Sequence, residues 1–413
     1  MHGTKSIQRA LLCATLLVIL AIGTMTSAFA QEKVRPEVGK PLQAAQDMMK
    51  ANKFKEALAK VREADAVSAK TPYETYMVES MRGSAAIGAK DLDTAIKSFE
   101  SVINSGKAPA VSQIKIVESL ATMHYGNRDY TNAIKWGARF YKDGGNNPQI
   151  RTLMIQAYFQ NGDFAASAKE SLADIEVDEK AGRAPNEEKL LLLANSYLRQ
   201  KNNTGYIATI EKLLNYYPKK SLWADVISRL QKKPGFSDRL ALDVFRLQLM
   251  TGNLSATNDY MEMSQLAIQA GYLAEAKKVI DEGFSNGALG KGAEADRHKR
   301  LRDLAEKRIV EAKKNEASEL AEANAAKDGN ALVRIGYGMV AAGKAAQGID
   351  LIETGIKKGG LKRPEDARLY LGMAYIQAGQ KAKGIPILKS IRGYEGGVGD
   401  IANLWALYAQ KSA

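Results

Sequence analysis

Residues 120–148, LATMHYGNRDYTNAIKWGARFYKDGGNNP, constrain the fold of this chain more than any other stretch. They are typical of two short helices joined by the polar turn 126–129, and Pro148 would open the next helix. On each helix the apolar residues recur three or four positions apart, which predicts one buried face. A hairpin of this size cannot cover its own apolar face, so it requires neighbouring copies of itself. The stretch therefore predicts an array of helical hairpins.

The prolines repeat with a period that fits such an array. Five of the ten prolines are separated by 37, 39, 37 and 33 residues: Pro72, Pro109, Pro148, Pro185 and Pro218. Each is expected where a helix begins, because a proline there lacks only an N–H that would have no partner in any case. The spacing predicts one hairpin in each interval.

Small residues follow the prolines in step. They are expected in the second helix of each hairpin at Ala57, Ala95, Ala133 and Ser167. A bulky residue stands three positions before each of them: Phe54, Leu92, Tyr130 and Phe164. A small side chain lets two helices approach closely, and the bulky one fills the space beside it.

This pattern resembles the tetratricopeptide repeat, a helical hairpin marked by a Leu-Gly-like pair, a Gly-rich turn, Tyr or Phe, Ala and a closing Pro. The best matches are Leu120-Ala121 with Tyr130, Ala133 and Pro148, and Leu371-Gly372 with Tyr375, Gly379 and Gly384. The resemblance covers most of residues 40–392. It implies an all-α, right-handed α-solenoid of nine or ten tetratricopeptide-like hairpins, and a binding surface rather than a particular activity. His124 stands where the family prefers Tyr, so we expect it to be a packing residue.

The N-terminus is typical of a secretory signal peptide. Lys5 and Arg9 precede the apolar run 10–22, and Ala28-Phe29-Ala30 precedes a polar stretch. We therefore predict cleavage after Ala30 and export to the periplasm of a two-membrane bacterium. The apolar run is short for a membrane span, so no transmembrane segment is expected in the mature chain. Cys13 is the only cysteine and would leave with this peptide, so no disulfide is expected.

The remaining chain divides by composition into five regions. We predict a linker at 31–40, an N-terminal array at 41–220, irregular hairpins at 221–293, a charged helical segment at 294–330, and C-terminal repeats with a capping helix at 331–413. Residues 294–326 contain no Gly or Pro, and they place opposite charges four residues apart, as in Asp296–Arg300. We favour two helices with a weak break near 315–318 over one rod about 50 Å long.

Catalytic chemistry has little support in the sequence. After cleavage the histidines are His124 and His298, 174 residues apart, and no cysteine remains. Hydrolase and metalloprotease motifs are absent, and GALGKG at 287–292 lacks the leading Gly and the final Ser or Thr of a phosphate-binding loop. We therefore predict no enzyme activity, no metal and no cofactor.

The formal net charge of +13 leaves two interpretations open. Lysine-rich solvated helix faces are the favoured one. The alternative is attraction to an acidic glycan or lipid headgroup, for which the basic run 297–302 is the candidate. Interleaved acidic residues and the predicted export argue against nucleic acid.

One set of positions indicates a partner-binding face. In the tetratricopeptide repeat, the residue after the Leu-Gly pair points into the concave surface. By that resemblance the face would carry Gln46, Ser84, Thr122, Gln156, Asn195 and Gln265. All are polar and uncharged, and amides and hydroxyls can hydrogen-bond a peptide backbone or sugar hydroxyls. Equally, such positions could simply tolerate small polar residues.

The sequence thus predicts a non-enzymatic periplasmic scaffold. It would hold a protein segment in its concave groove, with Tyr125, Phe159 and Leu198 as apolar anchors, in envelope assembly or secretion. The alternative is an adaptor that binds a glycan or anionic lipid for polysaccharide export.

Overall fold

The computed structural model describes residues 33–411, which contain twenty α-helices and one short 3-10 helix. These residues form two compact units. Unit 1 contains residues 33–182 and 195–202, and unit 2 contains residues 183–194 and 203–411. The predicted signal peptide and Cys13 lie outside the described residues.

Unit 1 consists of four helical hairpins that follow one another along the chain. They are α1 (Pro36–Lys50) with α2 (Phe54–Asp65), α3 (Pro72–Gly88) with α4 (Leu92–Asn104), α5 (Ala110–Gly126) with α6 (Tyr130–Lys142), and α7 (Pro148–Gln160) with α8 (Phe164–Lys180). The second helix of each of the first three hairpins packs on the first helix of the next. First helices also touch each other, α1 with α3 and α5 with α7. The prediction of a stacked all-α hairpin array is confirmed.

Local chemistry explains where these hairpins turn. The side chains of Asp91, Asp129 and Asp163 each accept a hydrogen bond from the backbone N–H three residues later, at 2.9–3.1 Å. Such caps satisfy a donor that the first helical turn leaves unpaired. Before each of these caps one residue reverses the chain in the left-handed region: Lys90 (φ 62°), Arg128 (φ 62°) and Gly162 (φ 82°).

The predicted small column is buried. Ala57, Ala95, Ala133 and Ser167 are all fully inaccessible, as expected if the helices approach most closely at these positions. The bulky residue before each is half-buried, and the Phe54 ring lies directly over Gly88, where a Cβ atom would meet it at 2.1 Å. The approach of α2 to α3 therefore requires the glycine at position 88.

The predicted linker at 31–40 is wrong in its second half, because α1 already begins at Pro36. Proline is tolerated there since the first helical N–H groups need no intrahelical partner. Val38, Leu42, Ala45 and Met49 then recur at helical spacing, and all are buried. Their apolar face holds the segment in the hairpin.

Unit 2 contains most of the remaining helices. Helix α9 (Glu187–Arg199) crosses the boundary between the units. The others are α10 (Asn203–Tyr216), α11 (Lys220–Gln231), the 3-10 helix Asp238–Leu240, α12 (Ala241–Met250), α13 (Thr257–Gln269), α14 (Leu273–Ser285), α15 (Ala295–Ala325), α16 (Asn330–Ala341), α17 (Ala345–Lys358), α18 (Pro364–Gln377), α19 (Lys381–Ser390) and α20 (Val398–Lys411).

The favoured break near 315–318 is wrong, because α15 is one helix of 31 residues. Its two ends are anchored by buried residues: His298, Leu301, Ala305 and Ala323. Ser318 does not interrupt the helix, since its hydroxyl donates to the Asn315 carbonyl at 3.0 Å within the same turn. Glu319 instead reaches Arg334 of α16 at 3.5 Å. Because the solvated middle of α15 contains no Gly or Pro, the helical propensity of its residues keeps it helical.

The last helix does more than cover the end of the array. Helix α20 packs on α18 and α19, as a cap would, and also on α10 and α12. Asn403 donates to Glu211 at 2.8 Å, Lys233 pairs with Asp400 at 2.8 Å, and Ser237 N–H donates to the Gly396 carbonyl at 3.1 Å. We call the packing of residues 391–411 on residues 203–250 the seam. It closes unit 2 on itself.

Candidate partner-binding face

The six predicted face residues share one helical position. Each lies four residues before the last residue of its helix, as Thr122 does in α5, which ends at Gly126. Gln46, Ser84, Thr122, Gln156 and Asn195 belong to unit 1, whereas Gln265 belongs to unit 2. Asn195 is exposed and the others are partly exposed. We call the five in unit 1 the polar row.

Local hydrogen bonds define what the polar row can offer a partner. The hydroxyls of Ser84 and Thr122 donate to carbonyls four residues earlier in their own helices, at 2.9 and 3.0 Å. Their hydrogens are therefore engaged, and their oxygens remain acceptors. Gln46 accepts from the neighbouring Gln43 amide at 3.3 Å. The row therefore combines hydroxyl acceptors with side-chain amides, and carries no formal charge.

A second row runs three residues further along the same helices. Tyr125, Phe159 and Leu198 follow Thr122, Gln156 and Asn195 at this interval, and Leu198 is 42 % exposed. We call these three the apolar row. Residues three apart lie on one helix face, so the two rows are adjacent.

Neighbouring first helices are joined at these rows. The Tyr125 hydroxyl of α5 donates to the Gln156 amide oxygen of α7 at 3.0 Å. Burial raises the pKa of Tyr125, so its hydroxyl remains a donor at neutral pH. The Tyr125 ring packs edge-on against Tyr130 at 5.6 Å, and Phe159 against Phe164 at 5.2 Å. These contacts fix two of the three apolar side chains before any partner binds.

His124 is a buried residue of the hairpin core, as predicted. It is 4 % exposed, and its two ring nitrogens face Asp129 at 3.1 Å and Glu100 at 3.3 Å. The other described histidine, His298, is 3 % exposed and accepts from the Gly290 N–H at 3.0 Å. Both imidazoles thus serve the packing of hairpins and loops.

Sequence reasoning missed a buried charged group in unit 2. Arg246 is 2 % exposed; it donates twice to Glu275 and once to Asp243, all at 2.7 Å. The Tyr272 and Tyr337 rings lie 4.8 and 4.5 Å from its guanidinium carbon. The available signal was the Asp243–Arg246 pair, three residues apart in the otherwise apolar helix ALDVFRLQLM. We call Asp243, Arg246, Glu275 and the tyrosines 272, 337 and 370 the Arg246 cluster.

Residues 33–411 carry neither of two further features. Within this range no group of His, Cys, Asp and Glu side chains is arranged to hold a metal ion. Among the helices described, none is both long and apolar enough to cross a membrane.

Comparison with known proteins identifies the repeat. A family model described as "Tetratricopeptide repeat" matches residues 190–220 and 366–394, which cover most of helices α9 and α10 and of helices α18 and α19. No curated protein matches the sequence.

Several solved structures are similar to this chain. The C-terminal part of a TPR repeat-containing protein from Cytophaga hutchinsonii is 14 % identical, with 65 % of this chain and 94 % of that chain covered and a TM-score of 0.32. Yeast Tom70 is 12 % identical, with coverages of 90 % and 95 % and a TM-score of 0.25. The TPR domain of P58(IPK) is 12 % identical, with coverages of 89 % and 98 % and a TM-score of 0.23.

Proposed function

We propose that this chain, which contains tetratricopeptide repeats, is a non-enzymatic scaffold that binds an extended, uncharged protein segment along the two rows of unit 1. One observation carries this proposal. Five uncharged polar residues occupy the same position on successive first helices, and an apolar row lies beside three of them.

The chemistry of the two rows suits a polypeptide. An extended backbone presents a donor and an acceptor at every residue, and side-chain amides and hydroxyls can pair with both. Apolar side chains of the same segment would bury against Tyr125, Phe159 and Leu198. Many modest contacts then replace one dominant residue, so affinity depends on how well the segment follows the helices.

The place of action is also part of this proposal. The signal-peptide pattern of residues 1–30 supports export, and the expected setting is envelope assembly or secretion in the periplasm. Only the sequence of the N-terminus supports this part.

A charge-insertion variant tests the binding face. Thr122, Gln156 and Asn195 are changed together to Glu, and the immobilised variant is compared with the wild type in capture from detergent-solubilised envelope. We expect specific protein partners to be lost, and the affinity for any purified partner to fall about 100-fold, because three carboxylates would be desolvated without counter-charges.

The matched control adds the same charge elsewhere in unit 1. Thr131, Ala165 and Ala173 are exposed residues of the second helices α6 and α8, and their joint change to Glu should leave capture intact. Both variants should keep the wild-type circular dichroism. If the row variant retains every partner, the rows are only solvated surface.

Salt distinguishes this function from binding of an acidic glycan or lipid. Charge-driven binding should collapse between 20 and 200 mM salt, as the Debye length falls from about 20 Å to about 7 Å. Binding of an uncharged segment to the rows should change little. Strong salt dependence would therefore contradict the proposal.

A further inference from the structure

The Arg246 cluster contains more negative than positive charge. Asp243 and Glu275 both bind the single guanidinium of Arg246, and their side chains are 2 % and 11 % exposed. Two carboxylates with one buried cation leave one uncompensated negative charge in a site that water barely reaches. Such a charge is costly, and taking up a proton removes it.

The groups around Asp243 do not supply the missing positive charge. Glu275 of α14 and Asp366 of α18 are negative and act on it across the cluster. Tyr272 faces the cluster from just before α14, Tyr337 from α16 and Tyr370 from α18. Burial raises the pKa of each, so all three stay neutral. Arg334 acts on Tyr272, and Arg239 is engaged with Asp366.

One carboxylate oxygen beside the cluster lacks a hydrogen-bond partner. Asp366 Oδ1 is buried and unpaired, although Oδ2 of the same side chain receives the Arg239 guanidinium. A buried acceptor without a partner has lost its hydrogen bond to water and gained none in return. Because Asp366 is paired with Arg239, the two add no net charge, and the surplus of one negative charge belongs to Asp243 and Glu275.

The seam contains another carboxylate in a similar situation. Glu211 of α10 accepts from Asn403 at 2.8 Å and lies 3.4 Å from Arg392, whose side chain is 64 % exposed. Burial raises the pKa of Glu211 above its usual range. In both the seam and the Arg246 cluster, residues of the segment α10–α12 contact later helices. Both sets of contacts therefore depend on the closure of unit 2.

We propose that the closure of unit 2 is linked to proton uptake. Mild acid tightens the packing of α10–α12 against α16–α20, and a rise in pH loosens it. Taking up one proton in the Arg246 cluster cancels its surplus charge. The unit then retains the paired Arg246 and the closed seam without the electrostatic cost.

The sign and the size follow from linkage. Burial raises the pKa of Asp243 from 3.8 to about 6. A raised carboxyl pKa means that the folded unit binds the proton more tightly than the unfolded chain, so stability grows as the pH falls through 6 and levels off near 4. Between pH 7.5 and pH 5, the unfolding equilibrium constant of unit 2 should fall about tenfold.

Tryptophan fluorescence can report on unit 2 alone. Of the three tryptophans, Trp223 and Trp405 lie in unit 2, where both rings contact Tyr408, and Trp136 lies in unit 1. In a Trp136→Phe background, urea unfolding followed by fluorescence at pH 7.5 and pH 5 measures this unit. The expected result is a higher urea midpoint at pH 5.

Two substitutions assign the effect to Asp243. Asp243→Asn mimics the neutral carboxyl, so it should raise the pH 7.5 midpoint and remove most of the difference between the two pH values. Asp281→Asn is the control, because Asp281 is 50 % exposed and pairs only with Lys277 on α14. It should keep the wild-type dependence.

Two outcomes would overturn the proposal. One is an Asp243→Asn protein that keeps the full wild-type pH dependence of stability. The other is a wild-type protein whose stability relative to that variant falls on acidification. Should Asp243→Asn fail to fold, Glu275→Gln removes the same surplus charge and must also reduce the acid stabilisation. Retention of the full effect in that protein refutes the proposal equally.

Discussion

The crossing of α16 and α17 yields a sharp test of the packing. A Cβ atom on Gly336 would lie 2.6 Å from the Gly348 carbonyl oxygen, and one on Gly348 would lie 2.4 Å from the Gly336 carbonyl. Gly338, two residues along the same helix, would place its Cβ 3.7 Å from the Tyr272 ring, which is ordinary contact. Gly336→Ala and Gly338→Ala are therefore a matched pair in one helix.

The expected difference comes from two opposing terms. Alanine in a helix is favoured over glycine by about 0.5–1 kcal/mol, and both variants gain this. For Gly336→Ala, backbone must move by several tenths of an ångström, and overpacking of this kind costs about 1–3 kcal/mol. Gly338→Ala should thus stabilise unit 2, and Gly336→Ala should be less stable than it by about 1–3 kcal/mol.

Urea unfolding in the Trp136→Phe background measures this difference directly. The two variants should bracket the parent, with Gly338→Ala above it or equal to it. Equal midpoints for both variants would show that α17 can move away at no cost. The close backbone approach would then not contribute to specifying the crossing.

Two other predictions concern helix ends and helix middles. Glu74 accepts hydrogen bonds from Arg35 and from the Thr71 N–H, and these bonds lower its pKa to about 2. The ionised Glu74 therefore stabilises the folded state above about pH 4.5, and this stabilisation is lost as the pH falls toward 2. Glu74→Gln should lower the melting temperature at pH 7, and the difference in melting temperature from the wild type should become smaller between pH 5 and pH 3. A difference that stays constant with pH would contradict this. Ala317→Gly in the solvated middle of α15 should cost about 1 kcal/mol of local helix stability, and a larger loss in the circular dichroism melt would indicate tertiary contacts there.

Much of unit 1 could be predicted because its determinants are local. Asp129 caps the helix that starts at the next residue, and Pro148 stands at the first position of α7. Ala133, three residues after Tyr130, is fully buried. Each of these features can be read within one repeat, so the period, the turns and the buried column were all accessible from the sequence.

Closure of unit 2 lies outside that local information. The Asn403–Glu211 hydrogen bond joins residues 192 apart, and the Arg246–Glu275 pair joins residues 29 apart across separate hairpins. Nothing in the repeat pattern indicates that either pair of residues should meet. The prediction for α15 was wrong for a related reason. A stretch without Gly or Pro is compatible with a degenerate hairpin or with one long helix. Only the buried residues near the two ends of α15, which the sequence does not reveal, decide between them.

The same helical position serves opposite purposes in the two units. In unit 1 it carries the polar row, whose members are partly or fully exposed. In unit 2, four residues before the ends of α12, α16 and α18, it carries Arg246, Tyr337 and Met373, and all three are buried. Because these side chains are buried within their own unit, they cannot also contact an extended partner segment. Gln265 shares the position but belongs to unit 2, so the proposed partner binding is restricted to the rows of unit 1 and the proposed closure to unit 2.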